Sequence, residues 1–136
     1  MLRFQLITLL ALLTLVLSAT AVSAQTGQLR GHVLIKQADG TTVPAAAAQI
    51  DVYRTDLSGK YSTKADKKGQ FIYAGLPFVG DYIIAASAPN AAPFSLGRVK
   101  AGRDIDYELV LAVGDGHRMT EEEAKADGNR PARSSE

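Results

Sequence analysis

The 136-residue chain contains no cysteine. That absence excludes a disulfide, a thiolate nucleophile, a cysteine metal site and a lipid-acceptor cysteine, so the fold must be held by its core. Tryptophan is also missing, and with it the broadest ring on which a sugar or base could stack. Histidine occurs only at His32 and His117, and no close histidine or carboxylate cluster accompanies either in the sequence, so neither a metal nor a cofactor is expected. No Gly-x-Ser-x-Gly elbow and no glycine-rich phosphate loop occurs. Lys60, Lys64, Lys67 and Lys68 are diluted by Asp56 and Asp66, which leaves no basic patch for nucleic acid. The formal net charge is only +1. On these grounds no residue is nominated as catalytic, cofactor-binding or metal-ligating.

What is present begins with a leader. Arg3 gives a positive start, Leu6 to Leu17 is uncharged and largely apolar, and Val22-Ser23-Ala24 has the small-x-small pattern of a cleavage site. The run is shorter than the roughly 20 apolar residues a membrane span needs. The expectation is a signal peptide over residues 1–24, cleavage after Ala24, secreted or periplasmic release, and no stable membrane insertion afterwards. Residues 25–113 then form one domain carrying ten basic and eight acidic side chains. Residues 114–136 form a polar tail with four and six.

The domain reads as strands throughout. Leu29, Gly31, Val33 and Ile35 alternate with Arg30, His32, Leu34 and Lys36, and at the other end Ile105, Tyr107, Leu109, Leu111 and Val113 alternate with Asp106, Glu108, Val110 and Ala112. Asp104, Asp106 and Glu108 share one face of that last segment and are read as solvated charges. Residues 45–48 are all alanine, but four alanines cannot nucleate a helix alone, and Gln49 to Tyr53 draws them into a strand. Further strands are expected at residues 60–65, 70–74, 82–87 and 94–100, with 82–87 covered on both faces. About seven antiparallel strands result, which suits a Greek-key β-sandwich. In the tail, Thr120 and Glu123 make a capping box and Glu121 and Lys125 stand four apart. Only Met119, Ala124 and Ala126 could be buried there, so disorder is expected beyond Gly116.

The densest signal is Asp66-Lys67-Lys68-Gly69-Gln70-Phe71, followed by Leu76-Pro77-Phe78-Val79-Gly80-Asp81-Tyr82. Asp66 can accept bonds from the amides ahead of it, Gly69 can take the positive φ of a tight turn, and Pro77 fixes the next reversal. This spacing resembles carboxypeptidase regulatory-like domains, β-sandwiches of the transthyretin-like group, over residues 28–112. Two extra alanines before the second strand and the Phe78-Val79 pair after Leu-Pro depart from the pattern, both in loops. The resemblance implies a non-enzymatic exported module that binds a protein partner or assists assembly in the cell envelope or extracellular space.

Two other readings follow from related sandwiches. Starch-binding-like relatives imply a glycan ligand, for which Tyr61, Phe78 and Phe94 are the aromatic candidates. His32-Val33-Leu34, Pro44-Ala45 and Val52-Tyr53-Arg54 resemble the opening of 5-hydroxyisourate hydrolases, which would assign His32 and Arg54 to a catalytic set. The Tyr-Arg-Gly-Ser ending of that family and its second histidine have no counterpart here.

Overall fold

The computed structural model describes residues 2–7 and 25–128. Residues 2–7 are helical (α1), with Leu2, Phe4, Leu6 and Ile7 exposed. The rest of the expected leader, including the cleavage point after Ala24, lies outside the described residues. Among those described, no helix is long and apolar enough to cross a membrane.

The remainder is an all-β sandwich with one helix added: β1 (Thr26–Lys36), β2 (Thr42–Pro44), β3 (Gln49–Arg54), β4 (Lys60–Lys64), β5 (Gln70–Pro77), β6 (Tyr82–Ser87), β7 (Phe94–Val99), β8 (Asp106–Ala112) and α2 (Glu121–Gly128). One sheet is centred on β1. Its first half pairs with β5 and its last residues with β2, both antiparallel, while β8 runs parallel along its other edge. The second sheet has the order β4-β3-β6-β7 and is antiparallel throughout. Alternation turns Leu29, Val33, Phe71, Leu109 and Leu111 inward from the first sheet to meet Ile50, Val52, Tyr82, Ile84 and Val99 from the second, all essentially buried. Each such side chain contributes about 1.5–3 kcal/mol on burial.

The Asp66 segment folds as its chemistry requires. Asp66 Oδ1 accepts from the amides of Lys68 at 2.8 Å and Gln70 at 2.9 Å. Gly69 has φ +76°, and a side chain there would collide with the Val33 carbonyl oxygen. The Gly69 carbonyl accepts from the Val33 amide, so the turn is joined to the middle of β1 between its β5 and β2 partners. At the next reversal, the fully buried Tyr82 donates its hydroxyl proton to the Pro77 carbonyl at 2.7 Å, tying strand to turn.

Several expectations are corrected. Residues 45–48 are not drawn into a strand but turn between β2 and β3, with Ala47 at φ +57°, and the count of about seven strands comes to eight because Thr42–Pro44 pairs with Leu34–Lys36. The ladder between β1 and β8 is parallel, which no local alternation could reveal. Disorder is overturned for residues 117–128, while residues 129–136 of the expected tail lie outside the described residues. Residues 117–128 lie on the outer face of the second sheet, with Ala124 fully buried against Tyr53, Ile83 and Ala85 and with Met119 beside them. Ionic and hydrogen-bonded anchors supply what apolar area alone would not.

Candidate functional site

The strands bring four chain segments together at one end of the sandwich: the start of β1 and the loops 55–59, 78–81 and 100–105. They are tied across one another. The Thr55 amide donates to the Asp81 carbonyl at 3.1 Å, Phe78 to Gln25 at 3.4 Å, and Gly102 to Gln28 at 3.1 Å. These loops carry four exposed apolar side chains: Leu57, Phe78, Val79 and Ile105. Phe78 is packed against Gly27 and Gly102, where a methyl group on either glycine would strike its ring. Two glycines thus provide a close-fitting seat for a ring that keeps 42% of its surface exposed, and Val79 at the loop tip keeps 75%. Val43, Phe94 and Val113 are also exposed, but at the other end, on or beside strands.

A polar rim surrounds the four apolar groups. Arg54 grips Asp56 through Nε and Nη2 at 2.9 and 2.8 Å and lies beside Gly80. Its hydrogen bonds hold the Asp56 carboxyl below its ordinary range. Lys100 pairs with Asp81, and Arg30 with Asp104. From α2, Lys125 donates to the Leu57 carbonyl at 3.3 Å and to Glu121 at 2.7 Å, so the helix helps position the loop that presents Leu57.

The residues suggested by the two other readings are not assembled. His32 lies on the outer face of the first sheet, with Nδ1 3.0 Å from Asp106 and Nε2 3.5 Å from Glu108. Arg54 ends β3 in the other sheet and is engaged by Asp56. Tyr61 packs edge-on against Tyr73, with centroids 5.6 Å apart, where β4 and β5 meet. Phe94 begins β7, remote from Phe78. Among the described residues, no group of three or more histidines and carboxylates is placed to hold a metal ion.

Sequence reasoning missed one polar assembly altogether. Asp51 is buried on the outer face of β3, where Arg118 donates to both carboxylate oxygens at 2.6 and 2.7 Å and Ser62 donates at 2.7 Å. Burial pushes the Asp51 carboxyl up, but Arg118, Ser62 and Lys60 outweigh it and leave the group below its usual range. Ser95 adds a second anchor through Asp127 and the Ala124 carbonyl. One signal was available in the sequence: residues 82–87 needed cover on both faces, and only the tail remained to supply the second.

No family model and no curated protein matches the chain. Among solved structures, it is similar to a candidate carbohydrate binding protein from Pseudomonas aeruginosa, at 12% identity and a TM-score of 0.45, over 69% of this chain and 92% of that one.

Proposed function

We propose that the protein is an exported, non-catalytic binding module of the carboxypeptidase regulatory-like kind, and that it recognises a protein partner in the cell envelope or extracellular space. The observation that carries this reading is the loop end just described, where Leu57, Phe78, Val79 and Ile105 stand exposed within a rim of ion pairs. Apolar groups on cross-tied loops with a polar surround have the anatomy of a protein contact. The leader pattern of residues 1–24 supports export, and the block from Asp66 to Tyr82 supports the family resemblance.

The decisive variant is Val79→Asp, because Val79 is exposed at a loop tip and its replacement leaves the core untouched. Affinity capture from envelope extracts should recover a partner with the wild type and with Lys64→Glu on the distant β4, and lose it with Val79→Asp. Equal capture by Val79→Asp, or none by the wild type, overturns the assignment. A glycan array tests the second reading, for which the seated Phe78 ring is the specific support. Binding that disappears in Phe78→Ala would transfer the site to a sugar. Turnover of freshly generated hydroxyisourate above background would overturn the non-catalytic reading.

A further inference from the structure

The C-terminal segment grips the β3–β4 hairpin at both its strands and its loop. Arg118 clasps Asp51 on β3 and also donates to Ser62 Oγ on β4 at 3.3 Å. At the start of α2 the Thr120 amide donates to Glu123 at 2.8 Å and the Glu123 amide to Thr120 Oγ1 at 3.2 Å, a closed capping box that fixes where the helix begins. That start sets Glu121 and Lys125, one turn apart on the same face, against the loop itself. Lys125 donates to the Leu57 carbonyl. The bond from Lys125, and behind it the Gly59 amide, hold the Glu121 carboxyl below its ordinary range.

The loop is therefore tied to α2 at residues 57 and 59, and among the described residues Leu57 to Gly59 have no other hydrogen bond. Its preceding residue pair is joined to the neighbouring loop instead. Thr55 donates both its amide and its hydroxyl to the Asp81 carbonyl, at 3.1 and 3.4 Å, two residues from Val79. Docking of the segment is itself marginal. Ala124 is the one fully buried side chain of an eight-residue helix, which is too short to persist alone. Its main ionic anchor, Arg118, is half in water. Such a segment exchanges between a docked helix and a released coil.

We propose that residues 117–128 are a strap that gates the loop end, with Lys125 as the positioning residue. Docked, the strap keeps Leu57 ordered within the apolar surface that it forms with Phe78 and Val79; released, it frees residues 57–59. The gate rests on the binding reading given above and adds its regulation. A partner that needs an ordered loop meets no further ordering cost when the strap is docked, and binds that state more tightly. By linkage, occupancy of the loop end then favours docking by the same factor.

Backbone 15N relaxation of the full chain tests the coupling without any partner. In Lys125→Met, which keeps the apolar stem, the order parameters of Leu57 to Gly59 should fall from about 0.85 to about 0.6 or less while Ala124 stays rigid. Lys125→Arg should restore them, and Glu122→Gln, on the exposed side of α2, should change nothing. Arg118→Ala should loosen strap and loop together. In affinity capture from envelope extracts, Lys125→Met should retain about twofold to tenfold less partner than wild type, and Lys125→Arg should recover the wild-type yield. A loop equally ordered in Lys125→Met overturns the gate, as does undiminished capture by a variant whose loop has loosened. Capture absent from the wild type overturns the binding reading and the gate with it; the relaxation data tell that failure from a failure of the coupling itself.

Discussion

Replacing Arg118 by alanine should release the C-terminal segment from the second sheet without unfolding the sandwich. The Asp51 side chain is 2% exposed, whereas Arg118 is 45% exposed, so one partner is buried and the other faces water. Breaking a fully buried pair costs about 3–5 kcal/mol because a charge is left unpaired. Here truncation also opens a path for water to reach the carboxylate, and screening reduces the loss to about 1–3 kcal/mol. The eight residues of α2 are too few to hold a helix alone, so the loss falls on docking. What remains is Ala124 against Tyr53, Ile83 and Ala85, together with the Ser95 anchor to Asp127. The open population should therefore rise roughly tenfold to a hundredfold. Hydrogen exchange read by mass spectrometry over residues 117–128 is the assay, with the Ala124 amide that donates to Thr120 as its marker. A dye sensitive to apolar surface should bind the uncovered Tyr53 and Ile83. Unchanged exchange in that segment would refute the reasoning, and so would equal loosening of the whole sandwich.

The same anchor sets a pH dependence. Because the folded Asp51 carboxyl titrates below its unfolded value, its contribution should be complete above about pH 4 and be lost as the pH falls through the lower folded value, seen as early acid release of α2 in the same exchange experiment. Tyr82→Phe keeps the ring but removes the hydroxyl that binds the Pro77 carbonyl, and should cost about 1–2 kcal/mol in urea denaturation. A midpoint equal to wild type would deny that bond a structural role. Gly69→Ala combines a positive φ with a collision against Val33, and should destabilise by about 2 kcal/mol or more in the same measurement.

Features set by neighbours in sequence were the legible ones. The turn at Asp66 and Gly69 and the alternation along β1 and β8 depend on a few adjacent residues, whereas the alanines at 45–48, rightly read as non-helical, were misplaced in a strand because nothing in a run of four alanines marks the turn at Ala46 and Ala47. The two-faced cover of β6 was visible too, since Ile83 and Ala85 on one side and Tyr82 and Ile84 on the other are all buried. What covers its outer face was not, because the anchors join Asp51 to Arg118 and Ser95 to Asp127, pairs far apart in the chain whose members look solvated in isolation. The parallel alignment of β8 with β1 is equally non-local. At the candidate site, Phe78 stood out as an aromatic residue in a loop. Its seat against Gly27 and Gly102 depends on two loops meeting, which composition cannot express.

The parallel ladder between β1 and β8 has a consequence for the birth of this molecule. The earliest strand of the sandwich to be synthesised is flanked on one side by the latest, so its hydrogen-bonding groups there stay wet until β8 has appeared. Closing so wide a loop is entropically slow, and a nascent fragment stopping before Asp106 would lack the contact that completes its first sheet. In a chain built in this order the second sheet can close before the first is complete.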